Sequence, residues 1–117
     1  RLNPRLQELL ERGQAVSEAQ YHTALTQRDA LRAIMQDFAH HFDGFITLAS
    51  TGPAPLGHNE TGSRHYQVPW SYLGLPCFTL PVMEAEGLPV GLQVMGYDRG
   101  TANLVALSHW LMNTILE

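Results

Sequence analysis

Hydrophobic and polar positions alternate with a helical period in three parts of the chain. In the first part, Asn3 and Pro4 have the pattern of an N-cap followed by proline in the first helical turn, and leucines follow at helical spacing. Gly13 then favours a helix end. This pattern predicts a helix over about residues 4–12.

The second helical part is the longest. The stretch "SEAQ" from Ser17 to Gln20 has the form of a capping box, in which the first and last side chains each accept a hydrogen bond from the other's backbone. Apolar residues then recur with a period near 3.6, which predicts a helix over about residues 18–41. These apolar positions are Tyr21, Ala24, Leu25, Leu31, Met35, Phe38 and Phe42.

The third helical part closes the chain. Thr101 is a capping residue type, and the leucines after it form one apolar stripe, so we expect a helix over about residues 101–116.

Three short apolar runs predict β-strands, at about residues 45–50, 77–83 and 90–96. The first, "FITLAS", has apolar residues on successive positions and is expected to be buried on both faces. Pro81 cannot donate a ladder hydrogen bond, which places the end of the second strand at a sheet edge or exit. The second and third strands are close enough along the chain to pair as a hairpin.

Residues 51–69 form a long polar segment that is rich in glycine and proline. Irregular segments of this length are uncommon in a compact protein unless they serve a function. We therefore predict that this segment is a site-forming loop.

Composition and charge narrow the function classes. Of 117 residues, 44% are hydrophobic and 15% are charged, which is typical of a folded protein. The net charge is -4 and the basic residues are scattered, so direct nucleic-acid binding is not expected. No apolar run approaches a membrane span or signal peptide, so we expect a cytoplasmic protein without membrane contact.

Metal and cofactor chemistry have weak support in the sequence. Adjacent residues on a helix point about 100° apart, so His40 and His41 would seldom ligate one metal. Cys77 is the single cysteine and could be a nucleophile, although a free cysteine at the start of an apolar strand is more often a small buried hydrophobe. We predict no metal, no cofactor and no catalytic residue within the chain.

Binding chemistry has better support near the end of the predicted loop. Arg64 and His65 place a cation and an imidazole just before Tyr66 and Trp70, as in loops that present such groups to a small ligand. We predict these four as substrate-binding residues. The alternative is that they are solvated loop side chains.

The order of motifs resembles the C-terminal part of the amidase signature family, which includes amidases and the A chain of an amidotransferase. The motifs are "FDGFITLAS", "GPAPLG", "TGSRHYQVPWSYLGLPCFTLP" and "GLPVGLQVMG", followed by a closing helix. The resemblance covers essentially the whole chain, with "YHTALTQRDALRAIMQDF" resembling the long helix that precedes these motifs. It implies one segment, residues 1–117, of an α/β fold in which helices pack on the strands of a mixed β-sheet.

The resemblance also implies a function. Members of this family hydrolyse a carboxamide C–N bond through an acyl-enzyme, using a serine nucleophile, a second serine on a cis peptide and a lysine base. The chain contains no lysine and no glycine- and serine-rich signature. We therefore expect the fragment to be inactive alone, the catalytic residues to lie outside it, and the parent enzyme to act on linear amides. The alternative is a non-catalytic binding or regulatory module derived from an amidase.

Partners and specificity follow from the same resemblance. The expected partners are the N-terminal remainder of the amidase, a small amide substrate and further copies of the protein in a homo-oligomer. In the amidotransferase members of the family, an acidic residue that contacts substrate falls near Arg64 or His65 of this chain. A cation at this position would favour a carboxylate or ureido oxygen over an ammonium group.

Overall fold

The computed structural model describes residues 3–97 and 100–116. Within these residues four helices and three strands follow one another along the chain. They are α1 (Pro4–Gln14), α2 (Glu18–Phe38), β1 (Phe45–Leu48), α3 (Val68–Leu73), β2 (Cys77–Ala85), β3 (Leu88–Met95) and α4 (Thr101–Leu116).

The starts of the first two helices have the predicted caps. The Asn3 side chain accepts a 2.9 Å hydrogen bond from the Leu6 N–H. Ser17 and Gln20 form the complete capping box, with each side chain accepting from the other's backbone N–H. Helix α1 runs two residues beyond the predicted end, whereas α2 ends three residues earlier because residues 39–41 tighten into a turn.

The three strands form an antiparallel sheet in the order β1-β3-β2. The predicted hairpin is present, since β2 and β3 are joined by Glu86 and Gly87, both with positive φ as a tight two-residue turn requires. The register shifts between Leu80 and Met83, around Pro81, and β2 is an edge strand as predicted. Parallel pairing, as in a mixed sheet, is not present among the described strands.

The core lies between one face of this sheet and α4. Leu80 of β2, Val94 of β3 and Leu104 of α4 are buried together, with Val82, Leu92, Leu107, Leu111 and Met112 packed around them. The apolar stripe predicted for the closing helix therefore faces the sheet.

The sequence Gly-Leu-Pro occurs twice, at residues 74–76 and 87–89, and the two copies serve different turns. Gly74 has φ 64° and ends α3, where its N–H and that of Leu75 bond back to Trp70 in a Schellman-type cap. Gly87 has φ 75° and completes the β2–β3 turn. Each glycine thus supplies a left-handed backbone that other residues adopt at a cost, and each proline enters a strand.

The prediction that the first strand is buried on both faces is wrong for the described residues. Ile46 is 56% exposed and Leu48 is 38% exposed, whereas Phe45 and Thr47 are half-buried. Phe45 faces aromatic rings from α2 and α3, but α4 does not extend over Ile46 and Leu48 on the other face.

Helix α3 was not predicted. It begins at Val68, inside the segment expected to be irregular up to residue 69, and proline at its second position fits a helical first turn. Its six residues are too few to show a helical period, so periodicity gave no signal. Two side-chain hydrogen bonds between α2 and α3 hold it in place.

Much apolar surface remains uncovered. The accessible surface is 8991 Å², against about 6,300 Å² for a compact chain of 13.0 kDa. The radius of gyration is 17.3 Å, against about 13 Å for a compact chain of this length. Neither α1 nor α2 buries a residue, although both carry apolar faces. No helix in the described part of the chain has the length and apolar character needed to span a bilayer.

Candidate substrate-contacting site

The loop between β1 and α3 surrounds a cavity of about 430 Å³ that is partly open to solvent. Its walls come from both ends of the loop and from the start of β3. The lining residues are Ser50, Thr51, Gly52, Pro53, Ala54, Pro55, Thr61, Gly62, Ser63 and Pro89. This wall offers small hydroxyl groups and apolar proline rings, which suit the uncharged, partly polar portion of a small ligand.

Hydrogen bonds anchor both ends of this loop to the sheet. The Ala49 N–H donates a 2.8 Å bond to the Gly91 carbonyl of β3. The Gln67 side-chain amide, just before α3, donates to the Ala49 carbonyl. The loop therefore leaves and returns at neighbouring points, which fixes the mouth of the cavity.

Gln93 is the polar residue that ties this region to the sheet. It lies in β3, is 2% exposed, and its side-chain amide donates to the Tyr66 carbonyl at 3.2 Å and to Met95 Sδ at 3.1 Å. A buried amide is costly unless it is bonded, so these contacts hold the chain at Tyr66 against the sheet. Sequence reasoning missed Gln93, although a lone amide in the apolar run "GLQVMG" was a usable signal.

Arg64 and His65 lie on the surface at the end of the loop, next to Ser63 of the cavity wall. Both are exposed, and the backbone N–H of His65 donates to Ser63 Oγ at 3.2 Å. Within residues 3–97 and 100–116, no carboxylate lies within salt-bridge distance of Arg64. The guanidinium is therefore available to an anionic or carbonyl-bearing group.

Tyr66 and Trp70 are half-buried and differ in their surroundings. The Tyr66 ring meets His65 edge-on, with ring centroids 5.2 Å apart. Trp70 instead packs on Phe45 at 5.8 Å, and Phe45 also contacts Phe38 and Tyr97. Arg64, His65 and Tyr66 are therefore neighbours because they follow one another in the turn before α3. The Trp70 ring lies instead in an aromatic cluster that joins β1 to α2 and α3.

A second polar cavity, of about 200 Å³, lies between the end of α2 and the start of α4. Tyr97 lines it, is 7% exposed, and has a buried hydroxyl without a hydrogen-bond partner among the described residues. Burial, with a smaller contribution from the nearby Asp43 carboxylate, raises the pKa of Tyr97. Both effects disfavour the phenolate.

Cys77, the single cysteine of the chain, does not line the loop cavity. Cys77 is exposed at the start of the edge strand, so the prediction that it is a buried hydrophobe is wrong. It begins β2, and no other strand of the described residues pairs with the outer side of β2. In the part of the chain that the structure describes, no three His, Cys, Asp or Glu side chains converge as metal ligands would.

Comparisons with known proteins place this geometry in a family. The chain is 33% identical over 86 residues to the A chain of the glutamyl-tRNA(Gln) amidotransferase of Clostridium botulinum strain Eklund 17B, covering 68% of this chain and 18% of that protein. The corresponding protein of Clostridium acetobutylicum is 34% identical over 86 residues, with the same coverage. That of Methanococcoides burtonii is 33% identical over 86 residues, covering 65% of this chain and 18% of that protein.

The fold of the chain is also similar to that of a solved structure. A crystal structure of an amidase superposes with a TM-score of 0.84 at 33% identity, over 97% of this chain and 29% of that one. No family model matches the chain. The chain spans about a fifth of the length of the curated relatives it matches, in their C-terminal region. By sequence and by fold, the chain belongs to the amidase signature family and corresponds to the C-terminal part of its members.

Proposed function

We propose that these residues are the C-terminal part of an amidase that hydrolyses a carboxamide C–N bond, with the acylation machinery outside them. The observation that carries the proposal is the superposition on a solved amidase over 97% of the chain at 33% identity. The amino-acid sequence adds a chemical reason, since it contains no lysine to act as the base.

In this proposal the chain builds one end of the sheet and one wall of the substrate cleft. The cavity inside the loop, with Arg64 and His65 beside it, contributes to the rim of that cleft. The nucleophile and base come from the N-terminal remainder of the enzyme. The amide substrate then binds between the N-terminal remainder and this chain. The 117 residues alone are therefore inactive.

The exposed Arg64 guanidinium gives the proposal a substrate preference. A guanidinium can donate two parallel hydrogen bonds to a carboxylate or a ureido oxygen. It repels an ammonium group. The proposed substrates are therefore linear amides that carry an anionic or ureido group, rather than amides that carry a free amine.

The experiment compares ammonia release from simple linear amides by the full-length enzyme and by the 117 residues alone. We expect turnover by the full-length enzyme and none by the isolated chain. Equal activity of both would contradict the external position of the catalytic residues. A full-length protein that binds amides without hydrolysing any would instead favour a non-catalytic binding module.

A further inference from the structure

Two glutamine side chains close the loop that carries the proposed substrate contacts. The Gln67 amide donates to the Ala49 carbonyl, which joins the two ends of the loop directly. The Gln93 amide donates to the Tyr66 carbonyl at 3.2 Å, which joins the end of the loop to β3. The start of the loop is bonded to the same strand, because the Ala49 N–H donates to the Gly91 carbonyl. Both ends of the loop are therefore fixed at one place on β3.

The sequence of β3 allows both attachments on one face of the sheet. Gly91 and Gln93 are two positions apart in the strand, so they lie on the same face, opposite to the face on which Val94 joins the core. An added Cβ at Gly91 would lie 3.1 Å from the Ala49 Cβ, so the missing side chain lets the start of the loop approach β3. The long Gln93 side chain instead reaches out to the end of the loop.

The middle of the loop depends on these end attachments. Its own hydrogen bonds stay local, since the Ser50 hydroxyl donates to the Gly52 carbonyl and the His65 N–H donates to Ser63 Oγ. In the part of the chain that the structure describes, no hydrogen bond joins residues 50–63 to a strand. The position of the loop relative to the sheet is therefore set at its two ends.

Arg64 belongs to the end of the loop that the two glutamines hold. Its carbonyl accepts hydrogen bonds from the Gln67 N–H at 3.2 Å and from the Val68 N–H at 3.1 Å, so it lies in the turn that leads into α3. Tyr66 and Gln67, where the two amide bonds attach, are part of the same turn. A shift of this turn would therefore displace the Arg64 guanidinium, and small displacements of a substrate-positioning group can lower the rate strongly.

We infer that Gln67 and Gln93 are positioning residues that set the preference of the enzyme for anionic amides. They hold the turn at Tyr66 against β3, and so place Arg64 where its guanidinium can bind the anionic group of the substrate. Both side chains are uncharged amides, so neither attracts nor repels that group at a distance. The inference rests on the proposed function, and it names the two residues through which the fold fixes the specificity of the loop.

The test uses the full-length enzyme with Gln67→Met and Gln93→Met, which keep an unbranched side chain of similar length but remove the N–H donor. Activity is measured on two linear amides of similar size, the anionic succinamate and the neutral butyramide. We expect the ratio of kcat/KM for succinamate to kcat/KM for butyramide to fall about threefold or more in each variant, mainly through a higher KM for succinamate. Gln27→Met, which changes an exposed glutamine of α2, is the control and should keep the wild-type ratio.

A second background separates positioning from a general loss of stability. In an enzyme that already carries Arg64→Ala, neither glutamine substitution should lower the ratio further, because both act through the residue that has been removed. A fall of equal size for both amides, an unchanged ratio in Gln67→Met, or a further fall in the Arg64→Ala background would overturn the inference. Gln67 is exposed, so its variant decides the matter even if Gln93→Met, at a buried position, fails to fold.

Binding separates this inference from the proposed activity. Succinate, a dicarboxylate without an amide bond to hydrolyse, is titrated into the same proteins in a calorimeter. A protein that hydrolyses no amide, but whose Kd for succinate rises about threefold or more in both variants, would contradict only the proposed activity. An enzyme that hydrolyses amides but keeps the wild-type ratio in both variants would contradict only the positioning role. A wild type that neither prefers succinamate nor binds succinate would contradict this inference together with the role given to Arg64.

Discussion

Arg32 of α2 donates a 2.6 Å hydrogen bond from its guanidinium to the carbonyl of Leu73, the last residue of α3. A second bond, from the Tyr72 hydroxyl to the Ala24 carbonyl, joins the same two helices at 2.6 Å. A helix of six residues cannot be stable through its own hydrogen bonds. These contacts with α2 therefore hold α3 in position, and Gly74 caps its end.

Replacing Arg32 with alanine is expected to destabilise the full-length enzyme by about 1.5–3 kcal/mol, the usual range for a hydrogen bond to a charged group that leaves its partner unpaired. Urea denaturation measures the change. The control is Arg28→Ala, which removes a half-buried arginine whose carboxylate contact with Asp29 is 3.4 Å long and is expected to contribute at most about 1 kcal/mol. Equal losses in the two variants would contradict the role given to Arg32.

Gly74 and Gly13 are expected to respond to alanine with opposite signs. Gly74 has φ 64°, and an added Cβ would lie 3.3 Å from Arg32 Nη1, so Gly74→Ala is expected to destabilise by about 1–2 kcal/mol. Gly13 lies inside α1 with open space around it, so Gly13→Ala should stabilise by up to about 1 kcal/mol. Thermal unfolding of both variants measures this difference, and stabilisation by Gly74→Ala would contradict the cap.

The raised pKa of Tyr97 predicts a loss of stability at alkaline pH. An unfolded tyrosine loses its proton near pH 10, whereas the folded one keeps it to higher pH. Above about pH 10 the folded state therefore binds more protons than the unfolded state, and the free energy of unfolding falls as the pH rises.

Tyr97→Phe removes this titration, so its unfolding free energy should fall less steeply above about pH 10 than that of the wild type. At neutral pH the variant should be as stable or slightly more stable, because the buried hydroxyl that it removes has no partner among the described residues. An unchanged slope in Tyr97→Phe would contradict the assignment.

Arg64→Ala is expected to lower kcat/KM of the full-length enzyme for amides that carry a carboxylate by about 10-fold or more, the loss of about 1.5–3 kcal/mol from a charged hydrogen bond. Neutral amides of the same size that carry no ureido group should be hydrolysed at the wild-type rate. Arg28→Ala, which removes another arginine from the helical surface, should affect neither substrate. Unchanged kcat/KM for the anionic amide would remove Arg64 from the proposed site.

The sequence predicted those elements whose signals are local. The capping box at Ser17 and Gln20, the caps at Asn3 and Pro4, and the proline in β2 act through neighbouring residues, and the structure contains each of them. The pairing of β2 and β3 as a hairpin was also predictable, because the two strands are close together along the chain.

The sequence could not predict features that depend on distant contacts. Helix α3 is held by Arg32 and by Tyr72 across helices, and six residues are too few for a period. The run at β1 predicts burial on both faces, but burial depends on what packs beside Ile46 and Leu48. The function of Gln93 likewise follows from its bond to Tyr66, 27 positions away along the chain.

The central claim is that these residues belong to an amidase whose nucleophile lies outside them. Its most direct test is to treat the full-length enzyme with a serine-reactive fluorophosphonate and to locate the modified residue by peptide mass spectrometry. We expect one modified serine outside the 117 residues, together with loss of amide hydrolysis. Modification of Ser50, Ser63 or another residue of this chain, with loss of activity, would contradict the claim.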